Sequence, residues 1–256
     1  MSEERIEAEV EIQAPTEAVW EAWADPDRLT GWYVDDALGR IGQTDQVTWI
    51  WGQMGLEIEY DVVELEPGRR FVLREADEGV RRTEVELTPE NGGTRVRVVE
   101  SGFDTDADAV LSGWTMALGL LKVYVEVYYG GEVRSVLVLG KVDAPPGEIV
   151  ALQRTAEGLQ KWLGAAGAMP AEGEPVRLEL EEDAVLDGEV LRRTETETSL
   201  TWPLIRGVLE MKQFPTSEGR AAALRAFTWA DPKELDLEEL QELLSRTLGR
   251  FMDALD

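Results

Sequence analysis

Five aromatic side chains in the first half of the chain define the chemistry it can offer: Trp49, Trp51, Tyr60, Phe71 and Trp114. Trp49 and Trp51 stand two apart in a run that alternates as a strand does, so their rings share a face. Rings on a sheet face beneath an apolar helix can line a pocket for a small apolar or amphipathic molecule. Tyr60 or an indole N–H would then supply the polar contact that orients it. The same rings can equally fill the space between sheet and helix. Leu118 and Leu121, on the helix that would close that space, complete the candidate ligand-binding set.

Other chemistries find less support. The chain holds no histidine and no cysteine, so Ser–His and Cys–His nucleophiles, disulfides and His- or Cys-ligated metals are excluded. Acid–base work would rest on Asp, Glu, Lys, Tyr or Arg. Pairs such as Glu57/Glu59 and Glu84/Glu86 share the polar parity of their strands, and among 52 acidic residues such pairs arise by chance. Arg74 opposes Phe71 and Leu73, and Arg97 opposes Val96 and Val98, which places both guanidiniums on the solvated face. Asp104, Asp106 and Asp108 lack the glycine and closing Glu of a calcium loop, and helix capping accounts for them. Gly39, Gly42 and Gly52 form no phosphate-binding pattern. No catalytic residue, metal or cofactor is assigned, and whether the chain is an enzyme stays open with the balance against it.

The elements that must position these residues can be read in order. Arg5–Gln13 alternates Ile6, Ala8, Val10 and Ile12 against Glu7, Glu9 and Glu11, a half-buried strand. Ala14-Pro15 ends it, a short helix follows through Trp23, and Asp25-Pro26 opens a second with Asp as N-cap. Strands are expected over 45–52, 56–66, 69–76, 80–88 and 94–101. Their turns are Glu66-Pro67-Gly68, Asp77-Glu78-Gly79 and Asn91-Gly92-Gly93. Leu56, Ile58, Tyr60 and Val62 share the dry face of this antiparallel meander. Its cover is the long helix whose stripe is Leu111, Trp114, Leu118, Leu121 and Val125, ended by Gly130-Gly131. Gly113 and Gly119 interrupt that helix, each at a cost of ~1 kcal/mol against Ala. Either a tight sheet contact or a cavity rim would explain them.

The pattern then restarts at a constant offset. Ala144-Pro145 repeats Ala14-Pro15, Trp162 repeats Trp32, and Leu244, Leu248 and Phe251 repeat Trp114, Leu118 and Leu121. One frame held at both ends implies a duplicated domain, with boundaries at 1–130 and 131–256. Strands of the second copy are expected over 174–181, 184–193, 195–201, 206–214 and 220–228, after one at 132–142, and its helix opens at Asp236. It holds three tryptophans, Trp162, Trp202 and Trp229, against six in the first.

The charge is lopsided: 52 acidic against 25 basic residues, net −27. That field repels phosphate backbones and anionic lipid, so neither a nucleic-acid nor a membrane partner is expected. Lysine occurs only at Lys122, Lys141, Lys161, Lys212 and Lys233, an acidic, lysine-poor surface of the halophilic type. No apolar run approaches the ~20 residues of a membrane span. The opening MSEERIEAEVEIQ lacks a signal-peptide profile, so a cytoplasmic protein is expected.

Ala14–Val34 (APTEAVWEAWADPDRLTGWYV), Ser101–Phe103 (SGF) and the Gly-Trp-x3-Leu-x2-Leu run of Gly113–Leu121 resemble the START-like helix-grip (SRPBCC) superfamily. Within it they are similar to the branch named after the activator of the heat-shock protein 90 ATPase. The second copy resembles it through Ala144–Leu163 and the last helix, with Thr228-Trp229-Ala230 standing where SGF would be. The resemblance implies an α+β protein of two tandem helix-grip domains, each a curved antiparallel sheet wrapped on a long C-terminal helix. It implies an apolar cavity between sheet and helix, and members that bind hydrophobic ligands, act as cyclases or hydrolases, or assist a chaperone ATPase. The function expected is non-catalytic binding of a small hydrophobic or amphipathic ligand by the first domain. The alternatives are a co-chaperone-like protein-interaction module acting through the acidic surface, and an enzyme of the cyclase or hydrolase kind.

Overall fold

The computed structural model describes residues 5–52, 55–76, 80–104, 106–181, 184–216 and 219–255. The turn expected at Asp77-Glu78-Gly79 lies outside the described residues. The chain forms two compact units, Met1–Val133 and Arg134–Asp256.

The first unit runs β1 (Arg5–Ile12), α1 (Thr16–Ala24), α2 (Pro26–Leu29), β2 (Asp36–Leu38), β3 (Gln46–Trp51), β4 (Leu56–Glu66), β5 (Arg70–Glu75), β6 (Arg82–Glu90), β7 (Gly93–Ser101) and α3 (Ala107–Val127). Its strands make one antiparallel sheet in the order β1-β7-β6-β5-β4-β3-β2. The meander follows from tight connections, such as the two-residue loop Asn91-Gly92 at φ 50° and 84°, where Glu90 pairs Gly93. Positive φ at both loop positions is the primed-turn geometry that matches strand twist. α3 crosses β1 and buries Trp114, Leu118, Leu121 and Val125. Asp106 caps it by accepting from the Asp108 amide at 2.9 Å.

Four sequence expectations are corrected. The edge strand β2 was not anticipated, since three residues carry no periodicity to read. The helix after Asp25 is a single turn, because Thr30-Gly31 gives way to turns. The strand expected over 80–88 lies at Arg82–Glu90. On the dry face of β4 only Tyr60 is buried, and Leu56 is 42% exposed at the end of the strand. Gly113 and Gly119 are decided too: a methyl group at either meets nothing within 4 Å, so no close sheet contact requires them. By length and mean hydropathy (1.3) α3 would pass for a membrane span, a composition the run-based reading did not register, but half of that window is buried inside the protein.

The second unit runs β8 (Arg134–Val142), α4 (Pro146–Arg154), α5 (Ala156–Leu163), β9 (Pro175–Glu181), β10 (Ala184–Arg193), β11 (Glu197–Trp202), a 3-10 turn (Pro203–Ile205), β12 (Gly207–Thr216), β13 (Gly219–Thr228) and α6 (Leu237–Asp253). The sheet order is β8-β13-β12-β11-β10-β9. Its helices keep the offset of the sequence repeat: Pro146, Ala156 and Leu237 open α4, α5 and α6 where Thr16, Pro26 and Ala107 open α1, α2 and α3. One contact repeats to the atom. Trp32 Nε1 donates to the Ala22 carbonyl and Trp162 Nε1 to the Leu152 carbonyl, each at 2.9 Å. The frame slips only in the sheet: Ser101 pairs Arg5, whereas Phe227 pairs Ser135, so the counterpart of SGF is Phe227-Thr228-Trp229, one position earlier than expected.

Candidate functional site

The rings of the first unit converge on two residues from its helical segment, Trp23 on α1 and Tyr33 just after α2. Tyr33 stacks on Trp32 (centroids 5.0 Å apart) and on Trp114 (5.6 Å), and meets Trp49 and Trp51 edge-on at 5.4 Å each. Trp23 touches Trp32 at 4.7 Å, Phe71 at 5.9 Å, Trp114 at 6.1 Å and Trp49 at 6.4 Å. Trp49 packs on Tyr60 at 4.9 Å. Of the sequence-derived set, Trp49, Trp51, Tyr60, Phe71 and Trp114 thus form one connected cluster. Leu118 and Leu121 lie fully buried further along the same stripe of α3. Edge-on and offset contacts at these distances add to the area they bury.

A polar network enters this aromatic interior. On β7 the parity that points Val96 and Val98 inward continues to Glu100, which is 1% exposed. Its Oε1 accepts from Arg81 Nε at 2.6 Å, and its Oε2 accepts from Trp114 Nε1. Arg81 precedes β6 in phase with the inward Thr83 and Val85. A buried carboxylate needs such partners, since leaving it unpaired costs several kcal/mol. Burial works against the charge on Arg81, yet Glu100 beside it outweighs this and its pKa rises. Burial pushes the Tyr33 hydroxyl well above its ordinary value and raises that of Tyr60, with Glu100 adding to both and Arg81 opposing. Both phenols therefore remain neutral hydrogen-bonding groups across the physiological range.

Three further observations bear on access. Tyr33 and Trp51 are only half-buried, and the Arg81 side chain is 36% exposed, so the cluster reaches the surface along this side. Trp23 Nε1 is buried without a hydrogen-bond partner, and such a donor costs about 1–3 kcal/mol unless something meets it. The second unit lacks the network: the residue paired with Ile6 is Glu100, whereas the residue paired with Val136 is Ala226. Sequence reasoning missed Tyr33, Arg81 and Glu100. The inward phase of Glu100 behind Val96 and Val98 was the available signal; Tyr33 lies in an irregular segment and carried none. Arg74 and Arg97 do point outward, to Asp61 at 2.7 Å and Glu7 at 2.6 Å. No group of three or more metal-capable side chains occurs among the described residues.

Residues 13–126 match the family model described as Activator of Hsp90 ATPase homolog 1-like protein, a span from the end of β1 to the last turn of α3. No curated protein matches the chain. Among solved structures the chain is similar to the Aha1 dimer from Colwellia psychrerythraea (21% identity, 49% of this chain and 98% of that one, TM-score 0.45). Over nearly its whole length it is similar to DynU16 from the dynemicin biosynthetic locus (19% identity, 98% and 95% covered, TM-score 0.44). It is similar likewise to the di-domain ARO/CYC StfQ from the steffimycin biosynthetic pathway (13% identity, 98% and 96% covered, TM-score 0.42).

Proposed function

We propose that this chain, two tandem helix-grip domains of the START-like (SRPBCC) superfamily, binds a small apolar or amphipathic molecule in its first domain. The carrying observation is a buried Glu100 carboxylate held by Arg81 and Trp114 inside an aromatic cluster whose outer members, Tyr33 and Trp51, are half-buried. The ligand's apolar part packs against Trp51 and the exposed edge of Tyr33, and its polar end meets the Tyr33 hydroxyl and Arg81. Neutral phenols with raised pKa are poor proton donors at neutral pH, which favours binding over acid–base catalysis. Native mass spectrometry of freshly purified protein, with tryptophan-fluorescence titration against fatty acids and aromatic compounds, tests the proposal. Tyr33→Phe keeps the stacking and removes the hydroxyl, so the best binder weakens roughly five- to tenfold with little change in melting temperature. No retained molecule and no response across both panels would overturn it.

A second reading rests on the family match itself and on the net charge of −27: an interaction module docking on a chaperone ATPase through its acidic exterior. Capture of such a partner that weakens with salt and survives Trp114→Ala would favour it.

A further inference from the structure

The second domain carries a separate cleft of about 450 Å³ between the 3-10 turn Pro203–Ile205, the start of α6 and the β9–β10 hairpin. Its apolar lining is Trp202, Ile205, Leu235, Leu240 and Leu243, with Leu204 above them. That volume lies in the range of small-molecule sites. Leu204 is 68% exposed, yet the turn bearing it is fixed. The Trp229 amide donates to the Arg206 carbonyl at 3.0 Å, the Thr228 hydroxyl donates to the Ile205 carbonyl, and Arg206 holds φ at 48°. An exposed leucine held rigidly over an apolar floor is a surface shaped to be covered.

The rim fixes the sign of the occupant. Among the described residues that line it Arg246 is the one cation, and Glu181 already neutralises it through a two-point contact at 2.8 and 3.1 Å. Glu234, Asp236 and Glu239 complete the acidic rim; Arg206, outside the lining, pairs with Glu234 at 3.8 Å and leaves the rim with more acids than cations. The N-terminus of α6 would favour an anion, but Asp236 caps it, accepting from the Glu238 amide at 2.8 Å, and Glu238 and Glu239 occupy its first turn. The net field over an apolar floor is negative. The feature is particular to this domain: at the equivalent positions of the first repeat, Ala109 and Gly113 stand where Glu239 and Leu243 do here.

We infer that this cleft binds a small organic cation with an apolar body, such as an alkylated amine: the body covers Leu204, Leu235 and Leu243, and the charge faces Glu234 and Glu239. The site is independent of the one proposed for the first domain.

The test is calorimetric titration of the full chain at about 0.15 M salt with decyltrimethylammonium, and with decyl sulfate of equal chain length, both below micellar concentration. The cation should saturate a single site and the sulfate should not. Leu204→Arg, at an exposed position, should weaken the cation about tenfold, and Glu234→Gln with Glu239→Gln should weaken it severalfold. The melting temperature of both variants should stay at the parent value. Cation binding unchanged by Leu204→Arg would report only the general attraction of a chain of charge −27 and would overturn the inference. Equal binding of the sulfate, or no saturable cation binding, would do the same.

Discussion

The indole N–H of Trp114 donates to the carboxylate of Glu100, joining the central helix of the first domain to the inward face of its sheet. The same carboxylate accepts from Arg81 at 2.6 Å. Helix, β7 and the entry to β6 thus meet at one buried charge, and the two partners of that charge are unequally wet. Glu100 exposes 2% of its side chain and Arg81 36%.

That inequality predicts an order. Arg81→Ala leaves a buried carboxylate with the indole N–H alone and should cost about 2–3 kcal/mol. Glu100→Gln keeps an acceptor for Trp114, lets Arg81 turn to water, and should cost about 1 kcal/mol. Urea midpoints followed by tryptophan fluorescence give the comparison, and the reverse order would refute the asymmetry.

Gly113 and Gly119 sit in α3 with open space where a Cβ would lie. Gly113→Ala and Gly119→Ala should each stabilise the protein by up to ~1 kcal/mol, the helix-propensity difference. A loss of stability in either variant, read from thermal melts, would mean that the added methyl meets an obstruction after all.

In the second domain Glu210 on β12 is 4% exposed and its Oε1 has no hydrogen-bond partner. Burial first, then the charge of Glu197 on β11, push its pKa up to about 7, against the opposing pull of Lys212 and of Arg225 on β13. A carboxyl whose pKa is higher folded than unfolded binds its proton more tightly in the native state. Its favourable contribution is complete below the unfolded value of about 4.5 and disappears as pH rises through about 7. Glu210→Gln should therefore match the parent near pH 4.5 and exceed its stability by roughly 3 kcal/mol at pH 8. Chemical denaturation of parent and variant across that window checks this; a difference that does not change with pH would refute it.

A net charge of −27 spread over 256 residues repels itself, while exposed ion pairs such as Arg69–Glu66 and Arg177–Asp187 contribute little. Raising salt from about 0.1 to 1 M should screen the repulsion more than it weakens the pairs and raise the melting temperature. A falling melting temperature over that range would show that the pairs dominate.

The duplication, the two sheets and their covering helices were legible in the chain because each rests on local periodicity. Alternation marks β1, three-and-four spacing marks α3, and Ala-Pro followed at one fixed distance by a tryptophan occurs in both copies (Pro15 and Trp32, Pro145 and Trp162). The buried faces of Trp49, Tyr60, Phe71, Trp114, Leu118 and Leu121 followed from the same periods. What only the tertiary structure decided was convergence. Arg81, Glu100 and Trp114 belong to different elements, and no period relates them. Tyr33 became the hub of the rings from a segment with no period at all. Leu204 and Glu239, from a turn and a helix start, were brought to one cleft by the packing of α6 on its sheet. Periodicity states which face of an element avoids water; which faces then meet, and which polar groups they close over, is set by packing between residues far apart in the chain.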